Sequence, residues 1–132
     1  MEQNSNSKKL AQEWFSRADD DLLFAKAGFK ETDIAADACF LSHQAVEKYL
    51  KGFIVLSVVE PKKSHNLSEL LEECIKIIPD FLRINEECEF LNRFYNPTRY
   101  PGGIILNYDK ETGAKALRVA EEVINFIQEK VK

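Results

Sequence analysis

The stretch Asn92-Arg93-Phe94-Tyr95-Asn96-Pro97-Thr98-Arg99-Tyr100-Pro101-Gly102-Gly103 gathers two arginines, two tyrosines, two asparagines and a threonine beside two turn-forming prolines. Arginine grips an anion through paired N–H donors, and tyrosine offers a face on which a base can stack. A second group lies earlier, in Lys48, Lys51, Lys62, Lys63 and His65. Lysine acts as a mobile point charge where arginine acts as a fork, so the two groups together suit a phosphate. The sequence therefore predicts an anion site in which Lys48 and Lys51 are completed by Arg93 or Arg99 and by His65, with Tyr95 and Tyr100 as a stacking surface. The competing reading is structural: cations near a helix C-terminus favour its dipole, and arginines at helix ends bond carbonyls.

Other chemistries find less support. His43 and Glu47 stand four residues apart, which suits either a base oriented by a carboxylate or a structural pair on one helix face. The two histidines, His43 and His65, have no Cys or His at ligand spacing, so no zinc site and no other metal or cofactor is expected. No G-x-S-x-G turn presents a nucleophile, and no P-loop or G-x-G-x-x-G cradles a phosphate. Asp19, Asp20 and Asp21 point about 100° apart on a helix and read as a solvated acidic flank rather than a metal site.

The elements that must position these residues are helical. Ala11, Trp14, Phe15, Ala18, Leu22, Ala25 and Phe29 recur at spacings of three and four, which places them on one face of a first helix. A second helix is predicted from about Asp33, its expected N-cap, to Val59. Leu41, Ala45, Val46, Tyr49, Leu50 and Phe53 fall on one side of it. His43, Gln44, Glu47, Lys48 and Lys51 fall on the other, mixed with Phe40, Val55 and Val58. Such an alternating stripe suits a face covered by a neighbouring element or a second subunit. Asn66 followed by Glu69 has capping-box spacing and opens a short helix to about Ile77, with Ser64 a weaker start. A helix restarting at Pro79-Asp80 carries Phe81, Leu82, Cys88, Leu91 and Tyr95 up to the Asn96-Pro97 break. Leu117, Ala120, Ile124, Ile127 and Val131 define a last amphipathic helix. The expected fold is all-α, an up-and-down bundle of four long helices and one short one, with residues 1–7 a disordered tail and 8–132 one domain.

Length and charge agree. A chain of 132 residues buries one core without staples. A net charge of -4 argues against non-specific nucleic-acid binding by the whole surface. Cys39, Cys74 and Cys88 sit in apolar helical patterns and read as buried free thiols of a reducing compartment. The N-terminal stretch has no apolar signal core and no run is long enough to span a membrane, so a cytoplasmic location is expected.

Four segments, in order through nearly the whole chain, resemble the HEPN domain family of small helical domains named for nucleotide binding. They are Trp14-x-x-x-Ala18-x-x-Asp21-Leu22-x-x-Ala25, Phe40-x-x-His43-Gln44-Ala45-Val46-Glu47-Lys48-Tyr49-Leu50-Lys51-Gly52, Ser64-His65-Asn66-Leu67 and Tyr95-x-Pro97-Thr98-Arg99-Tyr100-Pro101. The resemblance implies a helical bundle that pairs as a homodimer, and association with a minimal nucleotidyltransferase in a two-component, toxin–antitoxin-like system. Many relatives are metal-independent ribonucleases that carry an Arg-x(4-6)-His signature late in the chain. No histidine follows Arg93 or Arg99 here, because the last one is His65, and Gly102 stands where related loops carry an acidic residue.

The favoured expectation is thus a non-catalytic module that binds a nucleotide, or a nucleotide-bearing partner, through Lys48, Lys51, His65, Arg99 and Tyr100. His43, Gln44, Glu47, Arg93, Tyr95 and Thr98 are secondary candidates, and RNA is a less favoured ligand. Two alternatives stand beside it. One is a divergent ribonuclease with His43 or His65 supplying the missing histidine. The other is a purely structural dimerisation module whose helix-two stripe is the interface.

Overall fold

The computed structural model describes residues 2–95 and 108–132. Those residues form five α-helices and no strand: α1 (Glu2–Thr32), α2 (Ala35–Leu56), α3 (Leu67–Ile77), α4 (Asn85–Asn92) and α5 (Lys110–Lys130). The all-α bundle expected from the periodicity is the fold observed. Its fourth helix differs in detail, because Pro79–Ile84 winds as a 3-10 turn before the eight residues of α4. Proline has no N–H and fixes its own φ, which suits the opening of such a turn.

The ends of the long helices also move. From Glu2 onward the stretch expected as a tail is part of α1. Once a packed segment has nucleated a helix, each further residue costs little to add. The α1–α2 corner is turned by Asp33 at φ 59°, with its N–H on the Phe29 carbonyl at 2.8 Å, so Asp33 closes α1 and does not cap α2. Thr32 serves the corner instead, donating to the Gly28 carbonyl at 2.7 Å and accepting from the Ile34 N–H at 3.1 Å. α2 stops at Leu56, before the expected Val59. Val58 adopts φ 62°, and the Val59 N–H reaches back to the Ile54 carbonyl at 3.2 Å, a Schellman closure. Asn66 caps α3 as predicted, accepting from Ser68 N–H at 2.9 Å and Glu69 N–H at 3.4 Å.

α2 is the central helix, packed against α1, α3, α4 and α5. That explains its mixed stripe: Ser42, His43, Glu47 and Lys51 are all buried within one chain, along with Val55. α1 contributes Ala11, Phe15, Ala18, Leu22 and Ala25 to the core, on the predicted face, and α5 contributes Ala116, Ala120, Val123, Ile124 and Ile127. The acidic run of α1 is a largely solvated flank, as expected, with Asp19 and Asp20 exposed, but two of its carboxylates also bond to α2. Asp19 accepts from the Tyr49 hydroxyl at 2.7 Å, and Asp21 pairs with Lys48. All three cysteines are buried free thiols. Burial pushes the thiols of Cys39 and Cys88 up to about 12, so they stay protonated and inert at neutral pH. Among the described residues no helix is long and apolar enough to cross a membrane.

α1 packs tightly against α2 at Gly52. A Cβ there would meet Phe15 Cε1 at 2.5 Å and Trp14 Cβ at 3.1 Å. Phe15 has no room to retreat, since it is buried and stacked on Tyr49 with ring centroids 4.8 Å apart. Gly52→Ala is therefore expected to destabilise the fold by about 1–2 kcal/mol, overpacking outweighing the roughly 1 kcal/mol that Ala gains over Gly in a helix. Gly28 is the control. A Cβ there meets nothing, so Gly28→Ala should stabilise by about 0.5–1 kcal/mol. Urea unfolding of the two variants checks the opposite signs.

Candidate functional site

Glu47 is the centre of the site. Its carboxylate is buried, on the side of α2 that faces the connection between α2 and α3. Two cationic or proton-bearing groups converge on it. Lys51, one turn further along α2, donates to Oε2 at 3.0 Å. His65, from the connection, places Nδ1 3.1 Å from Oε1 and 3.2 Å from Oε2. A carboxylate accepts only, so Nδ1 carries the proton and donates. That fixes the imidazole with Nε2 turned away from Glu47. The His65 side chain is 53 % exposed, and among the described residues nothing bonds its Nε2. His65 is a histidine oriented from behind by a buried carboxylate, with its second nitrogen presented outward.

His43 supports this arrangement from beneath. It is fully buried, and its Nε2–H donates to the His65 carbonyl at 3.0 Å. Nδ1 is then the lone-pair nitrogen and accepts from the Gln44 amide at 3.3 Å. Burial drives its pKa down from 6.5 to about 4, against the opposing pull of Glu47 and of the His65 carbonyl; the charges of His65 and Lys51 lower it further. His43 is therefore neutral at pH 7. It bonds the backbone at His65, in keeping with the structural one of the two roles that its spacing to Glu47 suits, and Nδ1 stays 3.9 Å from that carboxylate.

Tyr95 closes the far side. Its ring stacks on His65 at 4.5 Å between centroids, on His43 at 5.4 Å and on Phe40 at 6.4 Å. The end of α4 is tied to the start of α3 by Asn92. Its Oδ1 accepts from the Leu67 N–H at 2.8 Å, and its amide donates to Asn66 Oδ1 at 3.1 Å. This amide clasp brings Tyr95 from the end of one helix against His65 just before the start of another.

His65 stands where two clefts meet. The first, of about 360 Å³, is bounded by Trp14, Lys51, Lys62 and Lys63 together with His65. The second, of about 450 Å³, is bounded by Lys63, Asn66, Asn92, Tyr95 and again His65. Cations and aromatic rings line both.

The predicted residues divide accordingly. Lys51 and His65 come together, and with them the secondary candidates His43, Gln44, Glu47 and Tyr95. Lys48 does not join them: it turns to Asp21 on α1 and lines a separate cleft of about 270 Å³ with Glu13 and Arg17. Arg93 packs over the rings of Phe90 and Phe94, 5.1 and 6.0 Å from their centroids, and lines neither cleft beside His65. Thr98, Arg99 and Tyr100 lie outside the described residues. Sequence reasoning leaves three contributors out of its candidate site residues. It places Trp14 only in the core and gives Asn66 only the role of a cap. The signal for Asn92 is present, as a side-chain amide at the end of a helix.

The described residues thus form a helical domain whose central helix carries a buried Glu-Lys pair, with a histidine docked on it from the next connection. The HEPN domain profile matches residues 11–131, and the chain belongs to the HEPN domain family. Two solved structures share the fold. TT1696 from Thermus thermophilus is 29 % identical with a TM-score of 0.75, covering 91 % of this chain and 97 % of its own. ST0689, described as an archaeal HEPN homologue, is 25 % identical with a TM-score of 0.72, covering 92 % of this chain and 98 % of its own. No curated protein matches the chain.

Proposed function

We propose that this protein is a nucleotide-binding HEPN module, working as a homodimer and as the substrate-binding half of a pair with a minimal nucleotidyltransferase. The observation that carries the reading is the buried Glu47 carboxylate holding Lys51 and His65 together at the junction of two cation-lined clefts. Within this reading Glu47 is a positioning residue. It offsets the cost of burying the Lys51 ammonium and turns His65 Nε2 outward, toward the junction of the two clefts. Lys62 and Lys63 supply further positive charge at the rim. Arg99 and Tyr100 are proposed to complete the grip.

Two placements support binding over cleavage. His43 is sealed in the core as a neutral support, and Arg93 lies on phenylalanine rings away from both histidine-bearing clefts. Calorimetric titration with ATP, GTP and UTP, alone and with the partner transferase, tests the reading. Saturable heat in at least one setting, lost in Lys51→Met, is the expected result. Flat titrations in both settings overturn it.

A further inference from the structure

We infer that Trp14 is the base platform of this site, and that the bound nucleotide is a purine nucleotide lying along the cleft with its phosphates at His65 and Lys63. The inference rests on the nucleotide-binding reading and adds to it an orientation, a base class and a residue. The cleft is chemically two-ended. Trp14, Leu10, Val55 and Pro61 make one part mainly apolar, with Lys51 and Glu60 beside them, while Lys62, Lys63 and His65 make the other cationic. The neighbouring clefts fix which end is which. Trp14 and Leu10 are shared with the cleft on the Lys48 side, whereas Lys63 and His65 are shared with the cleft on the Tyr95 side. The Trp14 ring therefore lies at one end of the cavity, with Lys51 beside it, and Lys63 and His65 lie at the other. Its volume of about 360 Å³ lies within the range of small-molecule sites, about 300–1,000 Å³.

Trp14 is built to hold still there. Its neighbours on the same helix face, Ala11, Phe15 and Ala18, are all buried, yet Trp14 is only partly covered. Its Cβ is wedged against Gly52, where any side chain would collide. Lys51 Nζ lies 5.7 Å from the ring centroid, which ties the indole to the cation that Glu47 holds. A fixed, half-covered indole in an apolar wall recognises a flat ring by stacking. Of the polar groups that line the cleft beside the indole, Lys51 is committed to Glu47 and Glu60 is exposed to solvent, so neither is fixed to read a base edge. Selection should thus follow stacking area, with adenine and guanine alike and both favoured over pyrimidines.

Trp14 is the single tryptophan of the chain, so its fluorescence reports the contact directly. The intact protein is titrated with ATP, GTP, UTP and base-free tripolyphosphate, followed by fluorescence and by calorimetry. ATP and GTP are expected to quench Trp14 to a similar extent and to bind more tightly than UTP, while tripolyphosphate binds weakly without quenching. Trp14→Ala should weaken ATP by about tenfold or more and leave tripolyphosphate unchanged, with Trp14→Phe retaining most of the affinity. The wild-type quenching needs no variant to fold. Calorimetric binding of ATP with unchanged fluorescence overturns the platform and leaves nucleotide binding standing. Equal affinity for ATP and tripolyphosphate does the same. No heat with any nucleotide overturns both.

Discussion

Glu47→Ala should cost about 3 kcal/mol or more of stability, a fall in midpoint temperature of roughly ten degrees for a domain of this size. The reason lies in what the substitution leaves behind. Lys51 is 8 % exposed and its ammonium is held at 3.0 Å by Glu47 Oε2. Without the carboxylate a buried cation has no counter-charge, and breaking a buried pair by removing one partner costs about 3–5 kcal/mol. His65 loses its tether as well, but its side chain is half exposed and rehydrates at little cost. Removing both charges should reverse the loss. Glu47→Leu combined with Lys51→Met replaces the pair by apolar groups of similar size, which is often neutral or stabilising. A double-mutant cycle by urea unfolding measures the coupling. The stable double variant should still fail to bind nucleotide, because neither Lys51 nor an oriented His65 remains. Wild-type stability in Glu47→Ala would mean that Lys51 finds water, and the positioning role assigned to Glu47 would go with it.

The sequence is most legible where one residue's position depends only on its own helix. The buried faces of α1 and α5 follow from spacings of three and four, and Asn66 announces the start of α3 through its own side chain. Legibility ends where two elements must be set in register. Lys48 and Lys51 are three residues apart and share a helix face, so their spacing suits one anion site for both. Which of them pairs with Asp21 depends on where Asp21 falls along α2, and that is decided by the packing of Trp14 and Phe15 against Gly52. The corners are hidden for a related reason. Asp33 and Val58 both adopt positive φ, and a β-branched valine there is not foretold by propensity. Trp14 belongs to the apolar face that the periodicity identifies. A helical projection cannot say that the residue on the edge of that face is left half covered to line a cleft. The polar stripe of α2 is covered, as its alternation suggests, and its cover includes the chain's own His65 and Tyr95.

Acid should weaken the fold through His43, by about 3 kcal/mol between neutral pH and pH 4. In the native state its pKa is held down at about 4, chiefly by burial, whereas in the unfolded chain it returns to about 6.5. Between those values the unfolded state binds more protons than the folded one, so stability rises with pH. The contribution is fully present above the unfolded value, is lost as pH falls from about 6.5 toward 4, and changes no further below that. Physically, the native ring has no site for a second proton. Nε2 already donates to the His65 carbonyl, and Nδ1 accepts from Gln44. Glu47 lies 3.9 Å from Nδ1 and favours the charged form, but Lys51 and His65 offset it and the ring is sealed from water. Other groups also titrate in this range, so the test compares variants. His43→Gln keeps a side-chain amide to donate to the His65 carbonyl and has nothing to protonate. Urea unfolding at pH 7 and pH 4.5 should show the wild type losing about 2–3 kcal/mol more than His43→Gln between the two conditions. Parallel losses would show that His43 takes up its proton in the folded state. The support it gives to the backbone at His65, and with it the orientation of the site, would then rest on other groups.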